Sequence, residues 1–233
     1  MAKLPDLYVN AVTTYDGKAL AKGQKQIAGF EKNVKNLAKA FGLTFSAAAL
    51  AQYGKNAVKA FAAEDAQVKQ LTQSLKNLGL GFATENVKQY LDVLEQATGV
   101  NKDQLQPALQ KILQTTGDIA KSQEILALAL DTSAGSGQDL ASVSQVLAQA
   151  YVGNNRGLRT LNIGLTQAEI KTANFAEIQE KLLKIFGGQA AVAADTYTGK
   201  LNKLTIAAEN ASEEIGRGLI GALEGLAGSD GNL

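Results

Sequence analysis

Cysteine, histidine and tryptophan are all absent from this 233-residue chain. Without cysteine there is no disulfide, no thiol nucleophile and no thiolate metal ligand; without histidine the commonest general base and metal ligand is gone. The catalytic repertoire is therefore nearly empty before any motif is sought, and no cofactor or metal is expected. Proline occurs only at Pro5 and Pro107, so little interrupts helix propagation between them. Aromatic residues make up 6% of a chain that is 45% apolar, which leaves alanine to supply much of the hydrophobic surface. Surface that thin and that evenly spread suits slender helix packing better than a thick globular core. Neither sign of charge dominates, with 23 basic and 22 acidic side chains. That balance gives no nucleic-acid footprint. A run of ~18 apolar residues is also missing, so no membrane span is expected. The amino terminus lacks the apolar core and cleavage site of a secretory signal, which makes a cytoplasm the default compartment.

What the chain does have is helical periodicity. Apolar or small residues recur at Tyr197, Leu201, Leu204, Ala208, Ala211 and Ile215, a four-three spacing that lines one narrow stripe of an α-helix. The same spacing runs through Leu50, Gly54, Ala57, Phe61, Glu64, Val68, Leu71, Leu75 and Leu78. Each stripe reads as a seam made to lie against another helix. Glu64 is the one charged residue in the second seam. It either fixes register, as a buried polar seam residue can, or marks where the helix bends or ends; the second reading is preferred because Glu-Asp-Ala-Gln begins there. A third seam, Leu20, Ile27, Phe30, Val34, Leu37 and Phe41, is surrounded by lysines. It reads as a helix-packing surface ahead of a membrane-surface helix, because its apolar stripe is narrow. Before it, Leu7, Val9, Ala11 and Thr13 alternate with other residues as one short strand would, with a loosely ordered tail as the alternative.

Between the seams the character changes to short helices with regular stops. Helices are expected over Thr84 to Thr98, Asn101 to Thr116, Asp118 to Ser133, Asp139 to Val152 and Thr166 to Ala173, with stops at Gly99 and Gly117. Asn101 with Gln104 and Thr166 with Glu169 have capping-box spacing. A second helix is expected directly after Gly187-Gly188. The fold class is thus all-α, with elongated seam-bearing helices flanking a compact short-helix bundle and one short amino-terminal strand. The expected divisions are an extended segment 1–16, a long hairpin or coiled-coil region 17–81, a compact domain 82–186, and a long helix with a Gly-rich tail 187–233. The tail from Gly216 to Gly228 reads as a frayed helix end ahead of a membrane-active segment.

The loops Ala134 to Asp139 and Val152 to Arg159 resemble phosphate or metal loops only at a glance. Gly153 to Gly157 lacks the Lys-Ser/Thr of a phosphate loop, and Asp131, Ser133 and Gly135 do not continue into a calcium loop. Both read as helix-stop turns. The acids Glu85, Asp92, Glu95, Asp103, Asp118 and Glu124 offer no distinguishable pair for glycoside cleavage.

Two blocks carry a resemblance: Ile125 to Lys171, with ILALALDTSAGSG, AYVGNN and LNIGL in order, and Phe186 to Leu204, with FGGQA and TYTGKL. Together with Val58 to Leu75, they resemble the amino-terminal portion of phage tail tape measure proteins. The resemblance implies a structural virion component and no enzyme. It would lie in the tail tube, set tail length, and be made in the bacterial host cytoplasm. The implied partners are further copies of itself and the tail tube, tail chaperone and distal tail or tip proteins. Membrane contact is a less favoured possibility, and a helical tail-assembly adaptor or chaperone-like protein outside the virion is the alternative. Family members are generally much longer, whereas 233 helical residues span at most roughly 350 Å. The chain is accordingly read as the leading piece of a longer ruler in preference to a short one.

Overall fold

A computed structural model describes residues 47–161, 164 and 166–227. The expected strand at Leu7 to Thr13, the lysine-rich helix at Lys18 to Phe41 and the end of the Gly-rich tail lie outside the described residues. Those residues form nine α-helices and two 3-10 turns, with no strand among them, so the protein is all-α. In chain order the helices are α1 (Ala47–Asn77), α2 (Thr84–Thr98), α3 (Lys102–Thr116), α4 (Ile119–Ser136) and α5 (Leu140–Tyr151). They continue as α6 (Gln167–Thr172), α7 (Phe175–Phe186), α8 (Gln189–Asp195) and α9 (Tyr197–Ala227), with 3-10 turns at Gly81–Ala83 and Asn155–Leu161.

Boundaries follow the side-chain chemistry. Asn101, Asp118 and Asp139 each turn a side-chain oxygen onto a first-turn amide, at 2.9 Å from the nitrogens of Asp103, Lys121 and Ser142. Such caps satisfy amides that the helix cannot. A complete capping box stands at α7, where Asn174 and Glu177 each accept the other's backbone N–H at 3.0 Å. Gly99, Gly117 and Gly137 close α2, α3 and α4 in the left-handed conformation. The loops that looked like phosphate or metal loops are helix-stop turns, with Gly137 ending α4 and Gly153 at φ +86° after α5. Pro107 sits inside α3 and does not end it. It lies in the second turn, where its missing N–H removes the helical bond to the Asp103 carbonyl.

The chain divides into two compact units, Glu64–Ala208 and Met1–Ala63 with Glu209–Leu233. In the larger unit α4 is the central element, packed on α3, α5, α7 and α8. Its sequence explains the position: Ile125, Leu126, Leu128, Ala129 and Leu130 are buried over more than half of the helix circumference, leaving only a narrow face with Glu124 and Ala127 exposed, and so broad an apolar surface must be covered by several neighbours. α3 and α5 lean on each other and on α4, with Leu105, Leu109, Ile112, Leu113, Val143 and Leu147 in the shared core. Leu71 and Leu75 of α1 and Ala190 of α8 belong to the same core, so residues on both sides of the expected 82–186 span contribute to this unit. Tyr90 of α2 reaches over this core to donate its phenol to the Gln123 carbonyl at 2.9 Å. Burial pushes that phenol up from its ordinary 10.0 to about 12.

The smaller unit, described over residues 47–63 and 209–227, rests on close backbone approach. A Cβ on Gly216 would land on the carbonyl oxygen of Ala57, which is itself fully buried. Beside it Arg217 lies over the Phe61 ring at 5.5 Å from the centroid, a cation–π contact. The segment expected to fray after Gly216 continues as helix to Ala227.

Candidate functional site

The two blocks that carry the family resemblance meet in space. Asp131, near the end of α4, accepts the backbone N–H groups of Gly188 and Ala190, each at 3.0 Å. Its carboxylate thereby caps α8 from another helix, negative charge against the positive end of the peptide dipoles. Gly188 makes this possible by turning the chain at φ +81°, a left-handed conformation that a side chain would strain. One turn further along α4, Gly135 leaves room for the Phe186 ring, which a Cβ there would strike. Thus Asp-Thr-Ser-Ala-Gly and Phe-Gly-Gly-Gln-Ala form one joint. The helix expected directly after Gly188 is in fact two. Thr196 breaks off α8 in an extended conformation and accepts the Gly199 N–H at 3.0 Å, restarting the chain as α9. Gly199 packs so tightly that a Cβ would strike the Ala193 carbonyl and stand 2.7 Å from that of Ala194.

A second cluster explains Glu64. The preferred reading of this residue is a bend or an end of the helix; α1 runs on through it to Asn77, so it is not an end. Its carboxylate instead stands 3.5 Å from the Lys102 ammonium, which also meets Asp92 at 3.2 Å and Glu95 at 4.0 Å. Glu95 is buried and accepts the Lys102 backbone N–H at 2.9 Å as well. A lysine in the first turn of a helix opposes the dipole, and three acids offset that. Burial pulls the ammonium down, but the carboxylates, led by the Asp92 hydrogen bond, outweigh it and raise its pKa. The cluster ties α1, α2 and α3 together.

The larger unit also holds a groove of ≈ 640 Å³, within the size of small-ligand sites. Val100, Pro107, Leu130 and Leu140 give it an apolar lining, and Asp103 and Asp139 stand at its acidic positions. Both acids are engaged: Asp103 accepts from Gln67 at 3.0 Å, and hydrogen bonds from Ser142 hold the Asp139 carboxyl below its usual range. The groove can accept apolar or neutral polar groups; it presents no nucleophile paired with a base. Among the described residues, no group of three or more acidic side chains is placed to hold a metal ion, and no helix is long and apolar enough to cross a membrane.

The expected seam residues are divided by the fold. On α1, Ala57, Leu71 and Leu75 are buried, and Phe61 and Val68 are half-buried. Leu50 lies in the first turn of that helix, and Leu78, 39% exposed, sits just past its end. On α9 the stripe faces solvent. Tyr197, Leu201 and Leu204 are 79%, 44% and 68% exposed, Ala208 and Ala211 are exposed, and Ile215 is half-buried. Within the larger unit the packed side of this helix is marked by Gly199 and Ile206, and within the smaller unit by Gly216, all buried. Sequence reasoning missed that side because it weighed apolar size, whereas two of the three markers are glycines in close backbone contact. It also missed Asp131 as a cap, since its partners lie 57 and 59 residues away. Comparison with protein-family models, with curated proteins and with solved structures finds no match.

Proposed function

We propose that the chain is a non-enzymatic structural protein of a phage tail, of the tape measure type. In this reading it acts in tail assembly and length setting within the tail tube, after synthesis in the bacterial host cytoplasm. Its contacts are helix-to-helix, with further copies of itself and with tube, chaperone and tip proteins; nucleic acid and cofactors have no part. The observation that supports the reading best is the joint at Asp131. The two sequence blocks in which the resemblance resides, Ile125 to Lys171 and Phe186 to Leu204, are locked together by the bonds to Gly188 and Ala190. They therefore behave as one folded module, as a shared ancestry of both blocks would require. An outward apolar stripe on a 31-residue helix adds a surface of the kind that helical assembly uses.

The groove favours a second reading, a tail-assembly adaptor that holds part of a partner and does not remain in the particle. Mass spectrometry of purified tails, paired with electron microscopy of tails made without the chain, separates the readings. Recovery of the chain in the particles, with tails lost or altered in length when it is removed, is the expected result. Absence from particles with the same assembly defect favours the adaptor. Normal tails of unchanged length without the chain would end both.

A further inference from the structure

We propose that the groove of the larger unit binds an extended, uncharged peptide segment of a partner protein, held chiefly by its main chain. The groove opens where the ends of α2 and α4 meet the starts of α3, α5 and α9, all within Glu64–Ala208. Its ≈ 640 Å³ is of the size that takes a drug-sized molecule, or about four residues of peptide. Gly99, Ala134, Ala141, Ala190, Ala193 and Gly199 line it. Walls built of such small residues let a main chain come close without meeting side chains.

The hydrogen-bonding groups on those walls show what the occupant must offer. Thr98, Ser133 and Thr196 spend their hydroxyl protons on the carbonyls of Leu94, Gln138 and Ala193. The side chains of Gln104, Thr198 and Asn202 make no bond among the described residues, and each can both donate and accept. Pro107 adds an acceptor. Lacking an N–H, it leaves the Asp103 carbonyl one turn back without its helical partner, and both residues stand on the groove wall. With the carboxylates of Asp103 and Asp139 counted as well, acceptors outnumber donors, so the matching ligand is rich in N–H groups. An extended main chain presents them in alternation with carbonyls, and the carboxamides of Gln104 and Asn202 can bond a peptide unit in both directions. Recognition of this kind draws its affinity from the main chain and leaves the side chains to fill apolar recesses, here beside Val100, Leu130 and Leu140.

Charge sets the second requirement. Asp103 and Asp139 are the charged residues on the wall, with no lysine or arginine beside them in the lining. A carboxylate or phosphate would be repelled there, which excludes nucleotides, fatty acids and acidic peptides. No cation is needed either. Each acid already accepts a bond, from Gln67 at 3.0 Å and from the Ser142 N–H at 2.9 Å, and each stands at a helix start, where the peptide dipoles offset its charge. The lining also holds no aromatic ring on which a base could stack. This names the chemistry of the segment that the adaptor reading leaves open; it rests on that reading's groove and not on where the chain is found in a tail.

The test is fluorescence anisotropy of dye-labelled, end-capped seven-residue peptide pools built from alanine, valine, leucine, serine and glycine, titrated with the full chain to about 500 µM. Saturable binding with a dissociation constant of about 100 µM is expected. Pools N-methylated at alternate amides cannot donate there and should bind at least about tenfold more weakly. Pools with glutamate at two positions should not bind. Ala141→Leu, in the exposed first turn of α5, fills the groove and should abolish binding with the circular dichroism unchanged. Pro107→Ala separates binding from folding. The restored N–H should raise the melting temperature by roughly 5 °C and, by engaging the Asp103 carbonyl, weaken the peptide about fivefold. No saturable binding by any neutral pool, equal binding of the methylated or glutamate pools, or binding indifferent to Ala141→Leu or Pro107→Ala would overturn the proposal. Recovery of the chain in mature particles would end the adaptor reading and leave peptide binding standing, so the two fail separately.

Discussion

Along α1 the residues at four-three spacing turn inward, with Ala57, Leu71 and Leu75 fully buried; along α9 the equivalent residues Tyr197, Leu201 and Leu204 stand in solvent. Both helices are 31 residues long, and both carry the stripe that a helix uses to lie on another. The difference lies in how α9 is anchored within each unit. Gly199 in the larger unit and Gly216 in the smaller bring backbone against backbone, at the carbonyls of Ala193 and Ala57 respectively. A helix anchored by such close contacts does not need its leucines inside. Its apolar stripe is left over, and leftover apolar surface has to be covered by something or endured.

Substitutions test this contrast, beginning with the largest effect. Leu75→Ala removes a fully buried side chain from the core of the larger unit and should destabilise it by about 3 kcal/mol, while Leu204→Ala should change stability by less than about 0.5 kcal/mol. Chemical denaturation of the two variants checks the pair; similar losses at both positions would mean the stripe of α9 is packed after all. Gly199→Ala comes next. Its Cβ meets backbone, not a yielding side chain, so the start of α9 must shift, with an expected loss of about 2 kcal/mol from this mechanism of overpacking. Gly218→Ala is the matched control, since a Cβ there meets nothing within 4 Å. On a helix, that change should be neutral or stabilising by up to about 1 kcal/mol.

Tyr90 reports on the interior alone. Its phenol has a higher pKa folded than unfolded, so the neutral form stabilises the fold fully below pH 10 and that contribution fades as pH rises from 10.0 to about 12. Melting curves across this window should show a loss of up to about 2 kcal/mol, less than the whole shift would give because the ring is only partly buried and solvent screens it. Tyr90→Phe should remove that part of the pH dependence, and Tyr197→Phe, on the exposed face, should leave it in place. Among the destabilising changes a smaller effect is expected at the joint between the two sequence blocks. Asp131→Asn keeps one acceptor for two amides and gives up the charge at the start of α8, which should lower stability by about 1 kcal/mol. Hydrogen exchange at Gly188 and Ala190 would localise it.

Local features of the fold were legible from residues alone because local chemistry decides them. Asn101, Asp118 and Asp139 start helices and Gly99 and Gly117 end them through bonds that span at most a few residues. What depended on partners distant in sequence was not legible. Glu64 read as a bend or an end of the helix, because nothing near it in the chain shows Lys102 waiting 38 positions on. Asp131 read as a failed calcium ligand, and the break at Thr196 was hidden inside a run of residues with good helix propensity. The candidate surface was half legible: periodicity gave the position of each stripe, but the direction it faces is set by glycine contacts that periodicity does not weigh.

The contrast between the two stripes can be measured directly by thiol labelling, because any cysteine introduced is the only one present. Leu75→Cys and Leu204→Cys proteins would be mixed with a thiol reagent at a dilution low enough to keep the chain monomeric. If the fold is as described, the thiol at position 204 reacts at nearly the rate of a free peptide thiol. The one at position 75 reacts at least about a hundredfold more slowly, since it is reached only through opening of the core. Equal rates, or protection at 204 in the dilute monomer, would contradict the account.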